Sequence, residues 1–474
     1  MKIHRACWGV AALIAIAIAC ACGSSSSSTD TPGQGPDAGD DMRGDDGSAP
    51  GDAGDAGPPD LPASPYATDL GLAEVWGVGV SSKGETFVAA ELGVIPSSEE
   101  ALLMAKLDAL GNPLWKKQIG GEPSTSSYAL AVAVDGSDNA VFAGFSYGVE
   151  DFGGGTMSSG TYVAKYTSDG ALVFVNAYGR AAAINAVATA KSGDIYVCGE
   201  LEGDADFGGG MQHTVDWNTF FIHLDASGKY VGSKVYGGGD IYCNGVDVDA
   251  SGNILLSGFF NGSADFGGPT ALNGPPFRTG VQAGFVAKLD PNGGYIAAKN
   301  FTGTVFDSAV FDSKGNVLLG ASFEDAVDFG GGMMMSAGFG DIAVAKLDPM
   351  LGYVWAKRFG DKLDQGVGKV ARDFDDGVVV TGAASGQVDF GKGPIGTGDA
   401  SSGTAAYVLR LDASGSTRAV AFDETGGVSG SHQAVAVSHA EAVAGGFFRS
   451  SLTLGVATFT NDGGQSGFVA RFAP

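Results

Sequence analysis

The sequence predicts an all-β fold in which one four-stranded unit occurs seven times around a closed ring. Three observations lead to this expectation. A short apolar stretch with one basic or imidazole position returns seven times, alternating strands and glycine-containing turns separate its copies, and the last copy lacks a strand that the start of the array can supply. Helical periodicity is scarce, whereas Gly accounts for 79 of 474 residues, which is typical of short strands and turns.

The recurring stretch sets the length of the unit. Its clearest copy reads Val-Ala-Lys-Leu-Asp at residues 286–290. Its basic or imidazole position returns every 58 to 65 residues, at Lys106, Lys165, His223, Lys288, Lys346, Arg410 and Arg471. Such regular spacing indicates one supersecondary unit stacked repeatedly.

Residues 244–301 show the strands of the unit. Residues 244–249, 253–259, 285–290 and 295–301 read as strands, separated by two tight turns and one Gly-rich loop that contains Asp265-Phe266-Gly267. Seven four-stranded antiparallel units predict a seven-bladed β-propeller over residues 64–474. Residues 65–71 resemble the fourth strands 172–179 and 354–360, so we expect them to complete the seventh blade and leave no unpaired edge.

Residues 252–258, the Asp265-Phe266 pair and residues 284–290 together resemble the SBBP repeat, a family of bacterial seven-bladed propeller repeats in secreted and surface proteins. The resemblance covers most of residues 73–474, although the first and seventh units lack Asp-Phe-Gly. It implies the fold and export from the cytoplasm. It implies no catalytic residue, so a function transferred from the family would rest on fold analogy alone.

Residues 1–22 carry a targeting signal. Lys2 and Arg5 precede an apolar run over residues 8–21 that is too short to span a bilayer. The following Cys22-Gly23 and five serines resemble a bacterial lipoprotein signal, which implies lipidation of Cys22, with Cys20 as the alternative. An ordinary cleaved signal peptide is the competing interpretation. Because no Asp follows the cysteine, the resemblance implies the outer membrane, with the protein either periplasmic or surface-exposed.

Residues 23–63 are expected to form a disordered linker. They are rich in Gly, Pro, Asp and Ser, and they contain nine aspartates against one arginine. Such a segment has too little apolar surface to offset its chain entropy on folding. It would hold the propeller away from a membrane to which only the lipid anchor binds.

The charge balance narrows the range of partners. The net charge is −26, from 27 basic and 53 acidic residues, which disfavours nucleic acid as a partner. We expect a monomer without a cofactor. The five Asp-Phe-Gly loops, beginning at residues 151, 206, 265, 328 and 389, are explained by a capping Asp, a packed Phe and a glycine bend, with Ca²⁺ binding as the alternative.

The channel mouth is the candidate ligand site. Alignment on the turn glycines places one residue of each first strand there, namely Trp76, Leu130, Asn185, Asn244, Asp307, Gly368 and Gln433. The polar members would either converge on a ligand or only face water. Cys198 and Cys243 lie in adjacent units and are predicted to be either two buried thiols or a disulfide.

The sequence favours a non-enzymatic function. Few histidines follow the signal, and no Gly-x-Ser-x-Gly elbow joins a strand to a helix. We therefore predict a cell-surface binding or scaffold module for protein or polysaccharide. The alternative is an extracellular polysaccharide hydrolase or lyase with carboxylates at the channel mouth.

Overall fold

The computed structural model describes residues 67–71, 73–93, 100–121, 127–277, 279–396, 404–422, 431–438, 441–454 and 457–472. All regular elements within these ranges are β-strands, and no helix there is suited to crossing a bilayer. The chain divides into Met1–Pro59 and Asp60–Pro474. The predicted lipidation site and linker lie outside the described residues.

Seven four-stranded antiparallel sheets form a seven-bladed β-propeller, as predicted. From inner to outer strand, blade one consists of β2 (Ala73–Val80), β3 (Thr86–Leu92), β4 (Ala101–Leu107) and β5 (Pro113–Gly120), and blade two of β6 (Ser127–Val134), β7 (Ala140–Ser146), β10 (Gly160–Tyr166) and β11 (Leu172–Ala177). Blade three consists of β12 (Ala182–Thr189), β13 (Ile195–Asp206), β14 (Met211–Leu224) and β15 (Tyr230–Tyr236), and blade four of β16 (Asp240–Val248), β17 (Ile254–Asn261), β20 (Ala283–Leu289) and β21 (Tyr295–Thr302). Blade five consists of β22 (Thr304–Phe311), β23 (Val317–Phe323), β26 (Asp341–Leu347) and β27 (Tyr353–Phe359), and blade six of β28 (Gln365–Arg372), β29 (Val378–Ser385), β32 (Thr404–Leu411) and β33 (Thr417–Phe422). Blade seven consists of β34 (Ser431–Ser438), β35 (Glu441–Leu454), β36 (Ala457–Phe472) and β1 (Ala67–Asp69).

Small hairpins decorate the loop between the second and third strands in four blades. They are β8 (Glu150–Asp151) with β9 (Thr156–Met157), β18 (Ser263–Ala264) with β19 (Leu272–Asn273), β24 (Ala326–Val327) with β25 (Met334–Met335), and β30 (Val388–Asp389) with β31 (Pro394–Ile395). These loops lie at one end of the blades. The first and third turns lie at the opposite end, because successive strands are antiparallel.

Closure of the ring follows the prediction. β1 pairs with β36 through Ala67↔Ala470, Thr68↔Val469 and Asp69↔Phe468, and the Leu70 amide donates to the Gly467 carbonyl at 2.9 Å. The inner strands also contact one another in a closed cycle, β2 to β6, β12, β16, β22, β28, β34 and back to β2. They therefore surround the central channel.

The buried core lies between the blades. Third strands such as β4, β10, β20 and β26 are buried along their whole length. The outer strand β5 alternates between exposed and half-buried residues over most of its length. This difference arises because a middle strand is covered on both faces by the neighbouring blades, whereas an outer strand borders solvent.

Aspartate and glycine shape the tight turns between the first and second strands. In the turn between β22 and β23, Asp312 Oδ1 accepts hydrogen bonds from the amides of Lys314 and Asn316 at 2.8 and 2.9 Å. Gly315 in that turn has a φ of 77°, a conformation in which a side chain would be strained.

Candidate functional site

Every inner strand has a β-bulge at the same level of the channel. The residues left out of the pairing are Trp76, Leu130, Asn185, Asn244, Phe306 with Asp307, Gly368 with Lys369, and Gln433. This bulge ring includes all seven positions obtained from the turn-glycine alignment. A bulge bends its strand and redirects a side chain, so the ring is a structural feature that all seven inner strands share at this level of the channel.

Polar members of the bulge ring bind the backbone of neighbouring blades. The Asn185 amide nitrogen donates to the Cys243 carbonyl at 3.0 Å, and that of Asn244 donates to the Phe306 carbonyl at 3.2 Å. Lys369 Nζ donates to the carbonyls of Asp307 and Asn244 at 2.7 and 3.1 Å. Lys369 thus connects blade six to blades five and four. These bonds satisfy carbonyls that the bulges remove from the sheet ladder.

Burial raises the pKa of carboxyl groups near the ring. Burial raises the pKa of Glu200 to about 8, although a hydrogen bond from Asn185 at 2.6 Å opposes the shift. Burial raises the pKa of Asp307 to about 6, against the opposing charge of Lys369. Burial and then repulsion from Glu100 raise the pKa of Glu91 to about 8. Groups that titrate near neutrality are suited to exchanging protons.

Two aromatic clusters lie close to the bulge ring, in blades two and four. In blade two, Tyr147 contacts Phe145 and Tyr128, with ring centroids 4.6 and 6.4 Å apart. In blade four, Tyr242 stacks on Phe259 at 4.9 Å and on Trp217 of blade three at 6.2 Å. The cross-strand pairs Tyr128↔Phe145 and Tyr242↔Phe259 occupy equivalent positions.

Blades one and three have carboxyl groups where blades two and four have an aromatic pair. The matching cross-strand pairs are Glu74↔Glu91 and Ala183↔Glu200. The aromatic pairs therefore do not belong to the repeated framework, which leaves them available for a function of their own.

A disulfide connects blades three and four beside this region. Cys198 of β13 and Cys243 of β16 are joined, with their Cα atoms 6.0 Å apart, and both residues are fully buried. Cys198 lies two residues before Glu200, and Cys243 lies between Tyr242 and Asn244. The disulfide therefore holds the carboxyl group of blade three at a set position relative to the aromatic pair of blade four.

The recurring basic position has a structural role. In five of the seven blades its side chain pairs with an acid of the first hairpin of the same blade at 2.7 to 2.8 Å, in Lys106–Glu85, Lys165–Asp135, Lys346–Asp312, Arg410–Asp373 and Arg471–Glu441. Lys288 donates instead to the Pro349 carbonyl of the next blade at 3.4 Å. Lys165 Nζ also donates to the Ala226 carbonyl of the next blade at 2.9 Å. These contacts join turns within and between blades, which explains why the position recurs.

The Asp-Phe-Gly loops likewise serve the fold. Asp328 Oδ1 accepts hydrogen bonds from the amides of Gly330 and Gly332 at 2.6 and 3.0 Å, and the other four loops use their aspartate in the same way. Phe266 packs between Tyr236 of blade three and Phe285 of its own blade, at 5.4 and 5.0 Å. Across the described ranges, no group of three or more His, Cys, Asp or Glu side chains is arranged to hold a metal ion.

Two surface clefts lie between blades two and three, with volumes of about 280 and 470 Å³. Neither is lined by a residue of the bulge ring. In the smaller cleft, Lys165 and Asp135 form an ion pair with each other at 2.8 Å. These clefts are therefore separate from the bulge ring.

Comparison with known proteins supplies no family. No family model and no curated protein matches the chain. Among solved structures, Chaetomium thermophilum Sqt1 bound to the N-terminus of ribosomal protein L10 is similar over 86% of this chain and 98% of its own, at 11% identity and a TM-score of 0.47.

Two enzymes are also similar to this chain. Polysaccharide lyase Uly1 matches over 84% of this chain and 89% of its own, at 11% identity and a TM-score of 0.43. Virginiamycin B lyase of Staphylococcus aureus matches over 86% and 99%, at 8% identity and a TM-score of 0.41. Likenesses at these identities and TM-scores carry no functional argument.

Sequence reasoning located the bulge ring but missed several of the groups around it. It assigned Gly368 to blade six, where the side chain that reaches the backbone of blades five and four belongs to the adjacent Lys369. It did not single out Glu91, Glu200 or the Trp217 stack. Glu91, Glu200 and Phe259 depart from the repeat at equivalent positions, and that departure is the signal by which an alignment of the blades finds them.

Proposed function

We propose that this propeller is a non-enzymatic binding or scaffold module for protein or polysaccharide, displayed on a cell surface. The observation that carries the proposal is how the polar groups at the mouth are used. Asn185, Asn244 and Lys369 donate to carbonyls of neighbouring blades. Groups engaged in this way brace a rigid ring, and a rigid surface with aromatic clusters favours binding.

A paired screen tests this proposal. The purified protein is applied to a glycan array and to a panel of secreted proteins, and the same polysaccharides are assayed for degradation. We expect stable binding without product. Product formation without stable binding would favour a polysaccharide hydrolase or lyase over the binding function.

A hydrolase or lyase is the second candidate, and the carboxyl groups favour it. Asp307 and Glu200 have pKa values of about 6 and 8, raised by burial, which are suited to general acid–base work near neutral pH. Under this alternative, Asp307→Ala abolishes turnover. Under the binding function, Asp307→Ala and Asn244→Ala at most weaken binding.

We also propose the cellular address that the N-terminal sequence implies. The chain would be an SBBP-type lipoprotein of a bacterial outer membrane, anchored through Cys22 or Cys20 and monomeric. Metabolic labelling with a palmitate analogue tests it. Label should enter the parent protein and be absent after Cys20 and Cys22 are both changed to Ala, and label that persists in the double variant excludes the anchor.

A further inference from the structure

The aromatic stack of blades three and four differs from the core rings around it. Trp217, Tyr242 and Phe259 form a continuous stack, with interplanar angles of 28° and 22°. Each of the three residues is half-buried, whereas Phe260 and Phe285 beside them are fully buried. Core packing explains Phe260 and Phe285, because both are removed from water. It does not explain why Trp217, Tyr242 and Phe259 stay partly exposed to solvent, which costs hydrophobic free energy.

Polar groups border this stack. Asp240 is half-buried, and burial and then repulsion from Asp216 raise the pKa of its carboxyl, whereas the nearby Trp217 backbone amide lowers it. Asp216 precedes Trp217 and has an exposed carboxylate. Tyr242 precedes Cys243, whose carbonyl accepts from Asn185 and whose side chain forms the disulfide. The stack thus offers a flat apolar surface with hydrogen-bond acceptors near it, and the disulfide beside Tyr242 holds its strand in place.

This combination favours a neutral sugar ring. Ligand sites combine apolar and aromatic contact with a few placed polar groups, and a pyranose offers C–H groups on its face and hydroxyls at its rim. The two carboxylates repel an anionic ligand. A basic peptide would meet carboxylates over much of this surface, since the chain has 53 acidic against 27 basic residues. Charge therefore does not distinguish this surface from the rest of the protein, whereas the flat aromatic stack does.

We infer that a neutral oligosaccharide binds at this stack, with one sugar ring packed on Trp217 and its hydroxyls donating to Asp216 and Asp240. This inference rests on the proposed binding function and names its ligand class. Polysaccharide becomes the ligand in place of protein, and the junction of blades three and four becomes the place where it is held.

Calorimetric titration of the full-length protein with cellohexaose, laminarihexaose and mannohexaose tests the inference. We expect at least one of them to bind, and Trp217→Ala to raise its Kd about tenfold, as loss of one aromatic contact implies. Asp216→Asn should also raise the Kd. Trp355→Phe is the matched control, since the Trp355 indole N–H donates to the Ala413 carbonyl at the opposite end of the blades at 3.1 Å.

The outcomes separate this inference from the proposed function. A hexasaccharide whose Kd is unchanged in Trp217→Ala refutes the location and leaves the binding function standing. Binding of hexalysine but of no hexasaccharide, lost in Trp217→Ala, refutes the ligand class. Failure of every glycan and secreted protein in the screen to bind refutes the proposed function as well. Circular dichroism of each variant confirms that a lost signal reflects the site and not unfolding.

Discussion

Replacing Glu200 by Gln should make the protein less sensitive to pH. The Glu200 side chain is fully enclosed beside the bulge ring, where Asn185 donates a hydrogen bond to Oε2 at 2.6 Å. Burial raises its pKa from an ordinary value of 4.5 to about 8. Gln has the shape of the protonated acid and keeps an oxygen to accept from Asn185, but it cannot ionise.

The sign of this pH dependence follows from the number of protons bound in the folded and unfolded states. Between pH 4.5 and about 8, folded Glu200 keeps a proton that the unfolded chain has released, so the free energy of unfolding falls as pH rises. Below this range both states are protonated, and above it both are ionised and the loss is complete. Each pH unit lowers the free energy of unfolding by about 1.4 kcal/mol per such group. From pH 5.5 to 7.5, Glu200 therefore accounts for a loss of about 3 kcal/mol.

Urea unfolding at pH 5.5, 6.5 and 7.5, with the disulfide intact, measures this difference. The parent protein should lose stability across the series, and Glu200→Gln should lose about 3 kcal/mol less. Some slope should remain, because burial also raises the pKa of Glu91 to about 8. Glu324→Gln, at an exposed carboxylate, is the control and should follow the parent. Equal slopes in Glu200→Gln and the parent would refute the argument.

Three further predictions concern the contacts between strands and blades. Cys198→Ala with Cys243→Ala should lower the free energy of unfolding by about 4 kcal/mol, since the disulfide closes a 45-residue separation; dithiothreitol should bring the parent to the level of the variant and leave the variant unchanged. Phe266→Ala should cost about 3 to 5 kcal/mol, because this ring is 2% exposed, whereas Phe277→Ala, at 48% exposure, should cost less than about 1 kcal/mol in the same urea assay. Lys346→Met removes the cation that lies 2.7 Å from the buried Asp312 carboxylate and should cost about 3 to 5 kcal/mol. Lys314→Met, at an exposed partner of Asp376, should cost less than about 1 kcal/mol. Equal losses in the two lysine variants would contradict the assigned burial.

The sequence by itself determined the architecture. Seven copies of one stretch set the number of blades, and Asp-x-x-Gly turns such as residues 312–315 marked the hairpins. These signals are local, since a turn depends on a few adjacent residues and a strand on its alternation. Closure by β1 was also predictable, because a unit that lacks one strand pairs with a segment that reads as one.

Only the tertiary structure decided which side chains meet and how they ionise. Lys369 binds the Asn244 carbonyl across 125 residues of sequence, and Trp217 of one blade stacks on Tyr242 of the next. The spacing of residues along the chain does not report such contacts, because the bulges and the packing of the blades set the direction of each side chain. The pKa of Glu200 likewise depends on burial, which arises only when blades three and four close around it.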